Sequence, residues 1–149
     1  MSKLLEKARS YEAKKIAATD KESKPLFHIS APAGWINDPN GFSVYNGKIH
    51  LFYQYYPYLR EWGPMHWGHS TTSDMIKWEQ LPCVLAPDEE YDKKGCFSGS
   101  AIEADGKHVL VYTGVTRIKL PDGSEQERQN QCIAFGDGLN YVKHENNPV

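Results

Sequence analysis

The sequence predicts an all-β domain that is preceded by one amphipathic helix. Apolar residues recur at helical spacing near the N-terminus, two hairpin signals lie 59 positions apart, and further strand patterns follow each hairpin. Four-stranded units that repeat every ~60 residues are typical of β-propeller blades with insertions. Propellers close with about four to eight blades. The chain is therefore expected to hold two blades of a longer protein, which we favour, or half of an assembly.

The N-terminal segment is expected to form one helix from Ser2 to about Ala18, capped by the Ser2 hydroxyl. Glu12 interrupts its apolar face where another apolar residue would fit. The remaining members of that face are Leu4, Leu5, Ala8, Tyr11 and Ile16. A polar linker follows, so we divide the chain into a helix with linker, residues 1–24, and a partial propeller domain, residues 25–149.

Each unit is expected to begin with a hairpin closed by a two-residue turn. The turns are Asn46-Gly47 in the first unit and Asp105-Gly106 in the second, and alternating apolar residues flank both. The same 59-residue offset superposes Tyr53 on Tyr112. The two hairpins therefore read as copies of one repeat.

A third strand in each unit is expected to end in a polar turn before an aromatic residue. Asp74 precedes Trp78 in the first copy and Asp137 precedes Tyr141 in the second, so both aspartates are predicted to have a structural role. Short fourth strands are predicted after these turns, at 79–81 and 142–144.

The second copy is four residues longer, since Trp78 and Tyr141 lie 63 positions apart. The polar segment 117–128 is predicted to be the loop that accounts for the difference. A second polar segment, Asp88-Glu89-Glu90 with Asp92, is predicted to be a solvated loop.

The bulk composition does not indicate a nucleic-acid or membrane partner. The net charge is −2, the pI is about 6.3, and the N-terminal segment has no long apolar run. The three cysteines, at 83, 96 and 132, are irregularly spaced and are expected to be free and buried, which favours a cytoplasmic location. No cofactor is expected.

No metal site is expected either. His66 and His69 would lie on opposite sides of a strand without a third ligand, and we predict that they satisfy backbone groups. Trp67 and Trp78 are expected in the core. Trp62, which is flanked by Gly63-Pro64, is predicted to belong to a binding site.

The most informative stretch is 35–41, Trp-Ile-Asn-Asp-Pro-Asn-Gly. Pro39 biases Asp38 away from helical geometry and Asn40-Gly41 favours a tight turn, so Asp38 is expected at a rigid corner. The flat face of Trp35, the amides of Asn37 and Asn40 and a fixed carboxylate suit a sugar ring. An Asx-type turn before a strand, without a binding role, is the alternative with equal weight.

The residues from about Phe27 onward resemble family 32 glycoside hydrolases, which include invertases, sucrose-6-phosphate hydrolases, levanases and inulinases. Five ordered motifs support the resemblance: Trp-Ile-Asn-Asp-Pro-Asn-Gly at 35–41, Phe-Tyr-Gln-Tyr at 52–55, Trp-Gly-Pro-Met-His-Trp-Gly-His at 62–69, Ser-Asp-Met-Ile-Lys-Trp at 73–78 and Phe-Ser-Gly-Ser at 97–100. The helix directly before the first motif looks most like bacterial sucrose-6-phosphate hydrolases.

The resemblance implies a five-bladed propeller followed by a C-terminal β-sandwich, with this chain forming the first two blades. It implies that Asp38 is the nucleophile that attacks a β-fructofuranosyl unit and that Asn37 hydrogen-bonds the ring. It also implies that Gln54, at the end of the second strand, contacts sugar hydroxyls. Trp62 would line an apolar wall, with Phe97 and Ser98 on the facing blade.

The proton-donating Glu of the family lies in a Glu-Cys motif, and a further Asp lies in an Arg-Asp-Pro motif. Neither motif occurs in these 149 residues. The chain by itself is therefore expected to be inactive, although its parent protein would hydrolyse sucrose or sucrose 6-phosphate. A non-catalytic sugar-binding propeller and a fructosyltransferase with the same half-site are the alternatives.

Overall fold

The computed structural model describes residues 1–20, 22, 24–25 and 27–149. Within these ranges the chain forms one α-helix and eight β-strands: α1 Lys3–Ala18, β1 Trp35–Tyr45, β2 Lys48–Tyr56, β3 His66–Thr72, β4 Glu79–Leu85, β5 Gly95–Ala104, β6 Lys107–Lys119, β7 Glu125–Gly136 and β8 Tyr141–Lys143. The strands form two antiparallel sheets, in the orders β1-β2-β3-β4 and β5-β6-β7-β8. The all-β class and the four strands of each unit are confirmed.

The two hairpin turns have the same geometry, as predicted. Asn46 and Gly47 have φ values of 49° and 73°, and Asp105 and Gly106 have 50° and 72°. Positive φ at both turn residues is the type I′ pattern, whose twist matches that of the flanking strands. The 59-residue offset therefore relates two equivalent hairpins.

The two polar turns are also equivalent. Asp74 Oδ1 accepts hydrogen bonds from the backbone N–H groups two and three residues ahead, at 2.9 and 2.8 Å. Asp137 Oδ1 does the same at 2.9 and 2.7 Å. The predicted structural role of both aspartates is confirmed.

The prediction of a loop at 117–128 is wrong. β6 and β7 continue through this segment as a paired hairpin, with Arg117 opposite Glu127 and Lys119 opposite Glu125. A turn closes it, in which the Leu120 N–H donates to the Ser124 carbonyl oxygen at 2.8 Å. Both faces of this part of the hairpin are largely exposed. Polar side chains can therefore occupy it, and the strands show no alternation of apolar residues here.

The fourth strands differ from the predicted 79–81 and 142–144 at their ends. β4 continues to Leu85 because Cys83, Val84 and Leu85 are buried, whereas β8 begins one residue earlier, at Tyr141. Trp67 is fully buried, as predicted, but Trp78 is only half-buried.

The helix begins as predicted, with the Ser2 hydroxyl accepting from the Leu5 N–H at 3.2 Å. Its buried face is narrower than the predicted stripe. Leu5 and Ala8 are buried, whereas Leu4 and Ile16 are more than 40% exposed. Glu12 completes the buried face instead, at 3% exposure.

Two helix side chains hydrogen-bond to the backbone of Cys83 in β4. Arg9 Nε donates to the Cys83 carbonyl oxygen and Glu12 Oε1 accepts from the Cys83 N–H, both at 2.7 Å. Arg9 also donates to the Leu139 carbonyl oxygen and the Asn140 side chain, in the turn between β7 and β8. The helix therefore covers the outer edge of β4, where unpaired backbone groups would otherwise be exposed.

The main core lies between the two sheets, where β1 packs near β5. It consists of Phe52, Trp67, Val84, Leu85, Cys96, Leu110, Tyr112, Cys132, Ala134 and Tyr141. All three cysteines are free and buried, as predicted.

The prediction of a solvated loop is correct for Glu89 and Glu90 but wrong for Asp88 and Asp92. Both aspartates pair with Lys143 of β8, and Asp92 is fully buried. Asp92 also accepts from the Tyr112 hydroxyl at 2.9 Å. The charge run is therefore split between solvent and an ion-pair network that joins β8 to the segment before β5.

The two histidines of the third strand have different partners. His66 Nδ1 donates to the Pro64 carbonyl oxygen at 2.9 Å, as predicted. The prediction is wrong for His69, whose Nε2 lies 2.9 Å from His50 Nδ1 in the layer between the sheets. The described residues contain no metal-binding cluster, and none of their helices has the length and apolar character needed to span a bilayer.

Candidate active site

Asp38 lies in an irregular part of β1. Between the pairs Ile36–Tyr55 and Pro39–Tyr53, β1 has one more residue than β2, and a second such bulge lies between Asn40 and Ser43. The expected tight turn at Asn40-Gly41 is therefore wrong. Proline, which lacks an N–H donor, is tolerated at bulges and in edge strands, and β1 is both bulged and at the end of its sheet. The Asp38 side chain is exposed.

Ser98 reaches Asp38 from the second sheet. The Ser98 hydroxyl donates to Asp38 Oδ2 at 3.3 Å. Ser98 is itself the extra residue of a bulge in β5, because Phe97 pairs with Thr113 and Gly99 pairs with Tyr112. Two bulges, one in each sheet, therefore bring a carboxylate and a hydroxyl together.

Trp35 and Asn37 form a second polar contact beside Asp38. The Trp35 indole N–H donates to Asn37 Oδ1 at 2.8 Å, and both residues are half-buried. The bond orients the Asn37 amide, so its NH₂ group is held in one direction as a potential donor to a ligand.

Trp62, in the loop between β2 and β3, meets Phe97 of β5. Their ring centroids are 6.2 Å apart at an interplanar angle of 89°. Trp62 is 57% exposed and Phe97 is half-buried, so the pair presents apolar surface to solvent. Such surface suits the C–H face of a sugar ring.

The prediction that Gln54 ends the second strand is wrong, because β2 continues for two more residues to Tyr56. Gln54 is buried, and its Nε2 donates to the Cys96 carbonyl oxygen at 3.0 Å. Gln54 therefore links the first sheet to the residue before Phe97.

Sequence reasoning missed a role for Trp67 near this site. Its placement in the core was correct, but its indole N–H also donates to the Phe97 carbonyl oxygen at 3.1 Å. A buried tryptophan needs a partner for its N–H, and this requirement was the available signal.

A cavity of about 360 Å³ lies between α1 and the segments 30–34 and 58–60, and Asp38 does not line it. Asp38 and Trp62 are both exposed, so the candidate site is an open surface rather than an enclosed pocket.

Comparison with known proteins places the chain in a family. Residues 28–149 match the model of the N-terminal domain of glycosyl hydrolases family 32. A sucrose-6-phosphate hydrolase of Escherichia coli is 48% identical over 120 residues, which cover 80% of this chain and 25% of that protein.

Solved structures of family 32 enzymes also match the chain. A Bombyx mori family 32 β-fructofuranosidase, BmSUC1, matches with a TM-score of 0.83 and 46% identity over 96% of this chain and 30% of its own. A mutant of the same enzyme in complex with sucrose matches with the same TM-score, 45% identity and the same coverage.

The chain spans about a quarter of the length of the curated relatives that it matches. The family model nevertheless covers all of β1 to β8 and every residue of the candidate site. The chain belongs to family 32 of the glycoside hydrolases, in the N-terminal β-propeller domain of that family.

Proposed function

We propose that the protein containing this chain hydrolyses terminal β-D-fructofuranosides, such as sucrose or sucrose 6-phosphate, and so supports sucrose catabolism. The contact that carries the proposal is the hydrogen bond from Ser98 to Asp38, which joins the two sheets beside aromatic surfaces. The names of the relatives, sucrose-6-phosphate hydrolase and β-fructofuranosidase, support the substrate class.

Asp38 is the nucleophile in this proposal. One carboxylate oxygen bonds to the anomeric carbon of the fructosyl unit while the glycosidic bond breaks, and an acid protonates the departing sugar oxygen. Water then attacks the same carbon, losing a proton to that acid's conjugate base, and releases fructose and the Asp38 carboxylate. The Ser98 hydroxyl donates a hydrogen bond to Oδ2 and so orients the carboxylate, which leaves Oδ1 for the attack.

Five further residues bind the sugar. Asn37 donates its amide to the fructosyl ring, and Gln54 uses the part of its amide that does not bind Cys96. Trp35, Trp62 and Phe97 provide apolar surface on which the sugar rests. No cofactor takes part in this reaction.

The acid is a Glu outside these 149 residues. A retaining mechanism needs a second carboxyl group about 5–5.5 Å from the first. Among the described residues, no hydrogen bond joins a second carboxyl group to Asp38, and the buried acids Asp92 and Glu12 bind Lys143 and Cys83 instead. The isolated chain should therefore release no glucose from sucrose, which a coupled glucose assay measures.

The remaining architecture is part of the same proposal. The two sheets are the first two blades of a five-bladed propeller that precedes a C-terminal β-sandwich. Residues 1–24 are the helix and linker, and residues 25–149 are the truncated propeller domain. The protein is cytoplasmic, in keeping with its three free cysteines.

Asp38→Asn in the complete protein tests the function. Sucrose hydrolysis should fall by about a thousandfold or more, because the amide cannot form the fructosyl ester. Asp74→Asn, in the turn after β3, is the matched control and should retain normal activity because its Oδ1 acceptor remains.

Three outcomes contradict the proposal. Normal hydrolysis by Asp38→Asn excludes Asp38 as the nucleophile. Sucrose binding by the wild-type protein without any product indicates a sugar-binding propeller. Fructose transferred to a second sugar, with little release to water, indicates a fructosyltransferase.

A further inference from the structure

We propose that Trp67 is a positioning residue of this site. It does not contact the substrate, but it holds the bulged segment that carries Ser98 and the second bulge of β1, three residues after Asp38. The proposal rests on the function proposed above and assigns a role to a residue that otherwise reads as ordinary core.

Trp67 holds the second sheet through its N–H. The indole Nε1 donates to the Phe97 carbonyl oxygen at 3.1 Å, directly before Ser98. The bulge at Ser98 interrupts the regular pairing of β5 with β6, so the ladder constrains this backbone less than its neighbours. A donor from the other sheet supplies the missing constraint.

Trp67 holds the first sheet through its ring. Gly41 lies in the second bulge of β1, three residues after Asp38, at φ +58°. A Cβ on Gly41 would come within 2.6 Å of Phe52 Cδ2 and 3.2 Å of Trp67 Cζ3, so the backbone of β1 lies against both the Phe52 ring and the indole. One planar group therefore touches both strands whose side chains meet at the site.

The indole has little freedom to move. It is fully buried and lies between the rings of Phe52, with centroids 5.6 Å apart, and Tyr112, with centroids 6.4 Å apart. Its pairing neighbour Gln54 donates to the Cys96 carbonyl oxygen, and the Cys96 N–H donates to the Met65 carbonyl oxygen at 2.8 Å. Three contacts, from Met65, Gln54 and Trp67, thus hold the backbone of β5 at Cys96 and Phe97, directly before Ser98.

The expected consequence is catalytic rather than only structural. Small displacements of a nucleophile from its attack geometry can reduce a rate by about a hundredfold. Loss of the indole N–H should therefore reduce kcat more than it changes KM, since the sugar-binding side chains remain.

The experiment uses Trp67→Phe in the complete protein, which keeps a buried ring but removes the donor. We expect kcat for sucrose to fall about tenfold to a hundredfold, with KM changed by less than about threefold. Tyr53→Phe is the matched control, since it removes a buried hydroxyl of the same sheet that binds Gln80. It should leave kcat unchanged. Equal kcat values for the two variants would overturn the proposal.

A double-mutant cycle with Ser98→Ala tests whether Trp67 acts through Ser98. Coupled residues give non-additive effects, so Trp67→Phe should cost less in the Ser98→Ala background than in wild type. Strictly additive losses in kcat would contradict the positioning role.

A measurement on the wild-type protein covers the case in which Trp67→Phe does not fold. Fructose binding should shift the Trp67 indole N–H resonance in ¹⁵N NMR spectra along with those of Trp35 and Trp62. A shift of those two alone would contradict the proposal. Hydrolysis of sucrose by wild type but not by Asp38→Asn tests the proposed function first. A failure of that function is therefore distinguished from a failure of the role proposed for Trp67.

Discussion

The two sheets share one topology but contribute different chemistry to the site. At equivalent positions, 59 residues apart, the first sheet has Asp38 and the second has Phe97. β1 contains two bulges and β5 contains one. The repeat determines where the strands and turns lie. The side chains of the candidate site differ between the sheets at the bulges, where strand pairing is irregular.

The sheets also stabilise their polar residues differently. The first sheet has an exposed pair, Lys48–Glu79, and binds the buried Glu12 of the helix at its outer edge. The second sheet instead buries Lys143 against Asp88 and Asp92. Two sets of variants test this contrast and a third tests the equivalence of the two hairpins, from the largest expected effect to the smallest.

Lys143→Met should destabilise the protein by about 3–5 kcal/mol, because it leaves two carboxylates without their buried cation. Lys48→Met is the matched control in the first sheet. Its pair is roughly half exposed, so its loss should cost no more than about 1 kcal/mol. Urea unfolding of both variants gives the two free energies. Similar losses would show that the two pairs do not differ as their burial indicates.

Glu12→Gln should change how stability depends on pH. Burial raises the pKa of Glu12 from 4.5 to about 7, although the Cys83 N–H and Arg9 act to lower it. Between these two values the unfolded chain loses this proton while the folded chain keeps it. The wild-type free energy of unfolding therefore falls as the pH rises through that window.

Glutamine cannot ionise and keeps the acceptor for the Cys83 N–H, so the variant should lack this fall. We compare the free energy of unfolding of the variant with that of wild type at each pH. The difference, variant minus wild type, should be about 2–3 kcal/mol larger at pH 8 than at pH 4. Urea unfolding at several pH values measures the difference. Glu6→Gln, on the exposed face of the same helix, should follow the wild-type curve. If the stability of Glu12→Gln changed with pH in the same way as that of wild type, the raised pKa of Glu12 would be contradicted.

The smallest expected effect tests the equivalence of the hairpins. Gly47→Ala and Gly106→Ala place a side chain at φ +73° and +72°, and no atom lies within 4 Å of the new Cβ in either turn. Each should cost about 1 kcal/mol from backbone conformation alone. Thermal or urea unfolding should give values that agree within about 0.5 kcal/mol. A larger difference would mean that the two turns are not equivalent.

Much of the candidate site could be predicted, although not its geometry. The motif at 35–41 predicted Asp38 as a site residue, and the 59-residue repeat predicted Phe97 at the equivalent position of the second unit. The expected turn at Asn40-Gly41 was wrong because Asn-Gly also fits a bulge. There Gly41 has a positive φ and lies close to the rings of Phe52 and Trp67. A local pattern cannot distinguish these two uses of glycine.

The sequence by itself determined the features that depend on near neighbours. The Ser2 cap, the two type I′ turns and the Asp74 and Asp137 turns each involve residues no more than four positions apart, so their chemistry is visible in a short window.

Only the tertiary structure decided which polar residues are buried and what they bind. Glu12 meets Cys83 across 71 positions, Lys143 meets Asp92 across 51, and Trp67 meets Phe97 across 30. The physical reason is that a buried charge or N–H is tolerated only where a partner satisfies it. That partner comes from the packing of the helix and the two sheets, which no short stretch of sequence specifies.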